Sequence, residues 1–554
     1  MAMTSMNRGV HRSPHQARNQ PFWAVIPALV LNRKSQRTQR RHVRASQPTA
    51  VLAPTSPASA ETPKSLPTQP NNTPSSPADS PGLGRRIVIV GAGPAGTVTA
   101  MLLAKRGYTV DVYERRGRPS RALAATLHSY ILALTPRGLK AIEETGADPE
   151  CCSATRAPRS VGMFDMNSGR SLRMPPGRKH IVDRVTLASD LIDEAMRLYG
   201  NNITFHFERQ LQGLDLERQL ATFKDGSSGS SQLEVSYDLL IGADGASSTV
   251  RDVLQDKVPG FGARTLYQAS MCYTTFHGLP VDDYAATKSE SSSGAADSAV
   301  PSEVALIGTH NRREFTYNWR SPKADVMVSM WKAEDGRMNG LVAAESHAAE
   351  PEQREQLLAA ATPKLPATWR RQIAAQTGPQ TPSSFGKIVR CSQFHGPRVV
   401  VIGDAAHSVT STLGQGCITA MESCTALAAA FAMCGDDLDR VPAAFTAARA
   451  PDAHAVHAMV PGHNASKLPV IIYARTVKAL ALLGSLVFHK VGLLPSPVYT
   501  YSAFFAGVLP VRAIKRNLHL LAAAGAGFLT LFVWSVSRLL RSCLLPALRT
   551  ALAG

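Results

Sequence analysis

Three segments of this chain combine glycines with a carboxylate at spacings suited to holding a dinucleotide. The first is the apolar run Arg86-Ile87-Val88-Ile89-Val90, followed by Gly91-Ala92-Gly93-Pro94-Ala95-Gly96. Gly91 permits a tight turn, Gly93 lets a pyrophosphate approach the backbone, and Gly96, directly after Ala95, allows a helix to pack closely. A second strand, Tyr108 to Tyr113, ends at Glu114, an acid placed to bind ribose hydroxyls. Arg115 and Arg116 follow it, so this segment alone leaves FAD and NAD both open.

Two later segments favour FAD. Asp238 to Arg251 carries Asp244 between glycines, and Arg398 to His407 carries Asp404 ahead of Gly414-Gln415-Gly416-Cys417. Each reads as a buried strand delivering an aspartate into a loop at its C-terminal end, where α/β sheets bind ligands. Asp404 can accept a hydrogen bond from a ribityl hydroxyl. A helix opening at Gly414 to Cys417 aims backbone N–H groups and a positive dipole end at the anionic end of a reduced flavin.

To position these groups, the chain is expected to adopt an α/β fold, with a Rossmann-like FAD-binding domain from residues 85–261 and 386–455. A mixed or antiparallel β-sheet substrate domain, 262–385, is inserted between the two parts, and part of 155–185 joins that layer. Short alternating segments at Glu303 to Gly308, Phe315 to Trp319 and Val326 to Trp331 read as its strands, with 287–300 as a Ser/Gly-rich loop. Such a sheet would roof the flavin. Trp319 and Trp331 cannot be told from core residues by pattern alone.

The 554 residues carry a formal charge of +19, but the excess is confined to the two ends. Residues 1–60 hold nine basic residues and no acid, residues 453–554 hold ten and no acid, and the middle balances 41 acids with 41 basic residues. A neutral middle argues against a nucleic-acid-binding core. Residues 1–45 have the composition of an organelle transit peptide, with processing near Val43 to Ser46 and a plastid preferred to a mitochondrion. Residues 46–84, with nine prolines, read as a disordered linker. Residues 456–554 read as a helical, membrane-associated tail. Within it, Asn517 to Ser537 is a 21-residue stretch without Lys, Arg, Asp or Glu, the length of a transmembrane helix. Eight cysteines without a Cys-x-x-Cys pair suggest reduced thiols and no structural metal.

The three motifs together resemble the single-component FAD aromatic hydroxylases, the group A flavoprotein monooxygenases, and among these the kynurenine 3-monooxygenase family. The similarity extends to Leu132-Ala133-Leu134-Thr135-Pro136-Arg137-Gly138-Leu139, to Arg184-Val185-Thr186-Leu187-Ala188-Ser189-Asp190-Leu191 and to Cys391 through His395. The resemblance implies that Arg184 sits beside the flavin. It also implies that NADPH or NADH reduces FAD, and that O2 is then activated as a C4a-hydroperoxyflavin that hydroxylates a small aromatic substrate. A membrane-anchoring C-terminus is a further trait of the kynurenine enzymes. Some positions depart from their pattern. His128, with Ser129 and Tyr130, stands where the family has a carboxylate-binding arginine, Ser411 replaces a proline, and Ile418 replaces an asparagine near substrate or flavin. His128, Tyr130 and His395 are the substrate-side candidates. These departures leave open an epoxidase acting on a terpenoid or quinone-type lipid, and a flavin reductase without oxygenase activity.

Overall fold

Val, Ile and Leu fill the three strands at the centre of the molecule, as burial of a strand on both faces requires. A computed structural model describes residues 84–122, 130–152, 155–156, 162–166, 170–173, 180–225, 232–280, 315–320, 326–332, 336–345, 350–363, 365–411, 414–459, 476–477, 479–480, 483, 511–540 and 542. The expected transit segment, the linker apart from Gly84, the strand at 303–308, the loop at 287–300 and His128 lie outside the described residues.

The first sheet has six strands in the order His395–Gly396, Val399–Val401, Leu239–Gly242, Arg86–Val90, Thr109–Tyr113 and Ile203–His206. All its pairings are parallel except that of the short edge strand His395–Gly396. The parallel strands end on one side, so the loops at Gly91, Ala243 and Gly403 converge there. Helix Pro94–Ala104 runs back along the sheet and packs on helices Arg184–Tyr199 and Gly416–Met433. On the opposite side, buried Asp436 accepts hydrogen bonds from the Tyr108 hydroxyl at 2.8 Å and from Arg106 Nε at 3.1 Å, and its other oxygen pairs with Arg106 Nη2.

The second sheet has seven strands, in the order Ser383–Ser384, Cys272–Leu279, Met338–Ala344, Val326–Lys332, Phe315–Arg320, Gly162–Asp165 and Arg170–Arg173. Only the pairing of Phe315–Arg320 with Gly162–Asp165 is parallel. One face packs on helices Pro351–Ala361 and Ala367–Thr377 through Phe276, Tyr317, Trp319, Val328, Met330, Trp369 and Ile373. Beyond the two-residue strand Ser383–Ser384, the edge of Cys272–Leu279 is completed by side chains. Gln380 bonds both the N–H and the carbonyl of Thr275, and Gln376 does the same for His277, at 2.6 to 3.0 Å. Two amide side chains thus satisfy an edge that would otherwise invite pairing with another chain.

Among the described residues, two helices are long and apolar enough to cross a membrane by length and composition, Gly416–Met433 and Arg512–Arg538. Gly416–Met433 buries Ile418, Met421, Cys424, Leu427 and Phe431 in the core. The second lies in helix Val511–Leu539. Ile514, Leu521 and Ala522 are buried, and Arg512 pairs with Asp452 at 3.4 Å. Farther along, Leu531, Phe532, Val533 and Trp534 are 55–65% exposed.

Removing one partner of a buried ion pair costs about 3 kcal/mol. Asp436→Ala should therefore lower the urea midpoint by a corresponding amount, because it strands the Tyr108 hydroxyl and Arg106 together. An unchanged midpoint would show that this contact contributes nothing.

Candidate active site

The glycine loop is shaped by what it cannot accommodate. Gly91 has φ +106°, and a Cβ there would lie 2.5 Å from the Ala243 carbonyl oxygen, while a Cβ on Gly96 would lie 1.9 Å from the Gly91 oxygen. Gly93 differs, since a Cβ there would meet nothing within 4 Å. Its bare backbone borders open space at the N-terminus of helix Pro94–Ala104, which is where a pyrophosphate needs to approach. The Ala95 methyl faces Gly403 of the third motif. Glu114 accepts hydrogen bonds from the N–H groups of Ala92 and Arg116, both at 3.0 Å, and so ties the second strand to the loop. Arg115 is exposed, and Arg116 lies in the field of Arg115, Glu114 and Arg184.

Helix Arg184–Tyr199 begins at the same mouth, capped by Asp183, whose carboxylate accepts from the N–H groups of Val185 and Thr186. Capping places Arg184 in the first helical position. Its N–H donates to the Tyr130 carbonyl at 3.1 Å, and its guanidinium carbon lies 5.6 Å from the Tyr130 ring centroid. Burial pushes the Asp404 carboxyl up to about 6, against the opposing pull of Arg184. Burial, reinforced by Asp404, pushes the Cys417 thiol up to about 12. The Tyr130 phenol is likewise raised to about 12 by burial, so it stays neutral at ordinary pH. Asp244 is also raised by burial; one of its oxygens accepts from Val250 N–H at 3.2 Å. Arg184 Nε and the other Asp244 oxygen are buried with no hydrogen-bond partner among the described residues. Open backbone at Gly93, two aspartates held above their ordinary range and two orphaned polar atoms around one mouth fit FAD, whose hydroxyls and phosphates supply the missing partners.

The other face of the seven-stranded sheet closes this mouth. Tyr130 meets Tyr273 edge-on at 5.9 Å between centroids, and Phe385 lies 5.1 Å from Tyr273. Met271, Met327, Trp331 and Leu341 pack in the same cluster. Strand alternation thus separates the two tryptophans that pattern could not: Trp319 belongs to the helix-covered core and Trp331 to the face beside Arg184. Between Met327 and Trp331 on that face, Ser329 donates to Asn318 at 2.7 Å.

Around the third motif, Gly414 has φ +61° and an open Cβ direction, and helix Gly416–Met433 starts without a side-chain cap. The Gln415 side chain turns inward and accepts from Arg137 at 2.8 Å, which leaves its backbone toward the mouth. Ile418 is 1% exposed and packs beside Gly138 of helix Pro136–Thr145, because its position in the first turn points into the core. Ser411 Oγ is buried without a partner among the described residues. His395 bonds Thr446 at 2.7 Å in the edge strand of the first sheet, a structural contact. Sequence reasoning missed Tyr273 and Phe385, which carry no motif, and the role of Arg137 in holding Gln415.

Residues 85–456 match the family model described as an FAD binding domain. The chain belongs to this FAD-binding family. It is 29% identical over 386 residues to a kynurenine 3-monooxygenase of Stenotrophomonas maltophilia, covering 68% of this chain and 78% of that protein. A kynurenine 3-monooxygenase of Phaeosphaeria nodorum is 27% identical over 404 residues, covering 68% and 77%. The tetrameric form of 2-methyl-3-hydroxypyridine-5-carboxylic acid oxygenase shares the fold, with a TM-score of 0.51 at 18% identity, over 68% of this chain and 89% of that one. This member of the family is an FAD-dependent aromatic monooxygenase with NAD(P)H as cosubstrate.

Asp404 gives a test with two signs. An acid whose folded pKa lies above its unfolded value loses stability as pH rises from about 4 to about 6 and keeps that deficit above. Asp404→Asn should therefore raise the melting temperature of the FAD-free protein at pH 8 and leave it nearly unchanged below pH 4. The same variant should bind FAD more weakly in a fluorescence titration. Equal FAD affinity would remove Asp404 from the cofactor site.

Proposed function

We propose that the chain hydroxylates an aromatic ring held against Tyr130, Tyr273 and Phe385, in a reaction of the kind named for its kynurenine 3-monooxygenase relatives. The observation that carries this reading is the aromatic wall beside Arg184, whose guanidinium carbon lies 5.6 Å from the Tyr130 ring centroid, with Tyr273 edge-on to that ring. Bound FAD would supply hydride acceptance from NAD(P)H and activation of O2. The balance is one ring C–H, O2, NAD(P)H and a proton giving the ring C–OH, water and NAD(P)+.

The chain's own residues hold, orient and shield. Gly91, Gly93, Ala95, Gly96 and Glu114 receive the adenosine diphosphate half, while Asp244, Asp404 and the backbone of Gly414 to Cys417 receive the flavin half. Arg184 offers Nε beside that half. Tyr130, as a neutral phenol, can donate a hydrogen bond to substrate. Met271, Met327, Trp331 and Leu341 exclude water from the reacting face. In this reading residues 85–261 with 386–455 serve the cofactor and residues 262–385 serve the substrate; His128, outside the described residues, is a substrate-side candidate by its sequence position alone and lacks the forked charge an arginine would offer.

The aromatic and sulfur-rich wall favours a second reading as well, a neutral lipid-soluble ring of terpenoid or quinone type. The exposed apolar end of helix Val511–Leu539 supports an address at a membrane, and the acid-free N-terminal residues support import into an organelle, a plastid before a mitochondrion.

Incubation of the FAD-loaded protein with NADPH and kynurenine should accelerate NADPH oxidation and yield hydroxykynurenine. Acceleration only by a quinone or carotenoid selects the second reading, and peroxide without oxygenated product in every case overturns both. Separately, a chain ending at residue 510 should lose flotation with anionic phospholipid vesicles. Full retention would exclude the tail as the anchor.

A further inference from the structure

Behind the flavin end of the site lies a buried ionic network that the proposed reaction does not use. Arg137, in the first turn of helix Pro136–Thr145, donates from Nη2 to Gln415 at 2.8 Å and from Nη1 to Glu422 at 3.0 Å. The other oxygen of Glu422 accepts from Arg449 Nη2 at 3.3 Å. Arg449 also donates to the Thr419 carbonyl at 2.7 Å and to Ser423 at 3.0 Å, and Ser423 bonds His407 at 2.7 Å. The side chains of Arg137, Glu422 and Arg449 are only 9%, 19% and 6% exposed.

Two guanidiniums share one carboxylate, which leaves one positive charge in excess. The neighbouring groups cancel it only in part. Asp452, which also acts on Arg449, is itself paired with Arg512 of the tail helix, and burial holds His407, His454 and His457 below their ordinary range. Buried charges need partners, yet Arg137 Nε has none among the described residues. The excess sits at the start of helix Gly416–Met433, whose dipole end has the same sign and no side-chain cap.

We propose that Arg137, Glu422 and Arg449 form a positioning network that fixes Gln415 and the first turn of this helix, and whose net positive charge favours the reduced, anionic form of FAD over the oxidised form. It rests on FAD binding by the chain and is independent of which substrate is hydroxylated.

The test is the midpoint potential of FAD bound to the full chain, measured by dye equilibration, alongside the dissociation constant of oxidised FAD. Arg137→Met removes the excess charge and should weaken the preference for reduced flavin about tenfold, about 30 mV lower for a two-electron couple. Glu422→Gln adds to the excess and should move the potential upward, and Arg137→Lys should stay near the wild type. A purely structural network would not give opposite signs. Shifts of one sign in both neutralising variants, or none while flavin remains bound, overturn the proposal. If Arg137→Met no longer holds flavin, the sign in Glu422→Gln decides, and an unmoved or lower potential there overturns it. Wild-type protein that binds no FAD would instead contradict the cofactor assignment itself.

Discussion

The absence of two methyl-sized volumes, at Gly91 and Gly96, organises this molecule. At the crossing of Gly91, Gly96 and Ala243, the helix that follows the first strand rests directly on backbone, with no room for a side chain between. That contact fixes helix Pro94–Ala104 against the parallel sheet, and with it the direction of the N–H groups that border the open space at Gly93. Helices Arg184–Tyr199 and Gly416–Met433 pack on the same helix, so the positions of Arg184 and Gln415 inherit its placement. A packing constraint in one loop is thus transmitted to groups contributed by residues far apart in the chain.

The parallel strands and glycine turns were legible in the sequence because their causes are local: β-branched runs, fixed glycine spacings and an acid at a strand end. The strands at 315–320 and 326–332 were also readable from alternation. What alternation could not say was which face met the helices, so Trp319 and Trp331 looked alike until the sheet was assembled. Ile418 is the reverse case. Its neighbours in sequence place it at a ligand-binding loop, but the phase of the helix turns it toward Gly138. The inward course of Gln415 was hidden for a similar reason, since its partner Arg137 comes from another helix.

Electrostatically, the site is held away from its own optimum. Asp404 and Asp244 are carboxylates in surroundings that disfavour their charge, and Arg184 and Arg137 each keep a buried nitrogen without a partner among the described residues. Such groups cost stability in the free chain and are retained where a ligand completes them. The cofactor is then part of the fold's own hydrogen-bond account.

The glutamine clasp on the second sheet has a consequence of a different kind. Natural sheets commonly protect an edge with charges, prolines or bulges written into the edge strand itself. Here the protection for Thr275 and His277 is carried by Gln376, on helix Ala367–Thr377, and by Gln380, in the turn just after it, which hold only backbone atoms of the strand. The strand's side chains are released from guarding the edge. Its sequence can drift to suit a new ligand on one face without raising the hazard of chains zipping together, a division of labour that leaves the substrate wall open to evolutionary change.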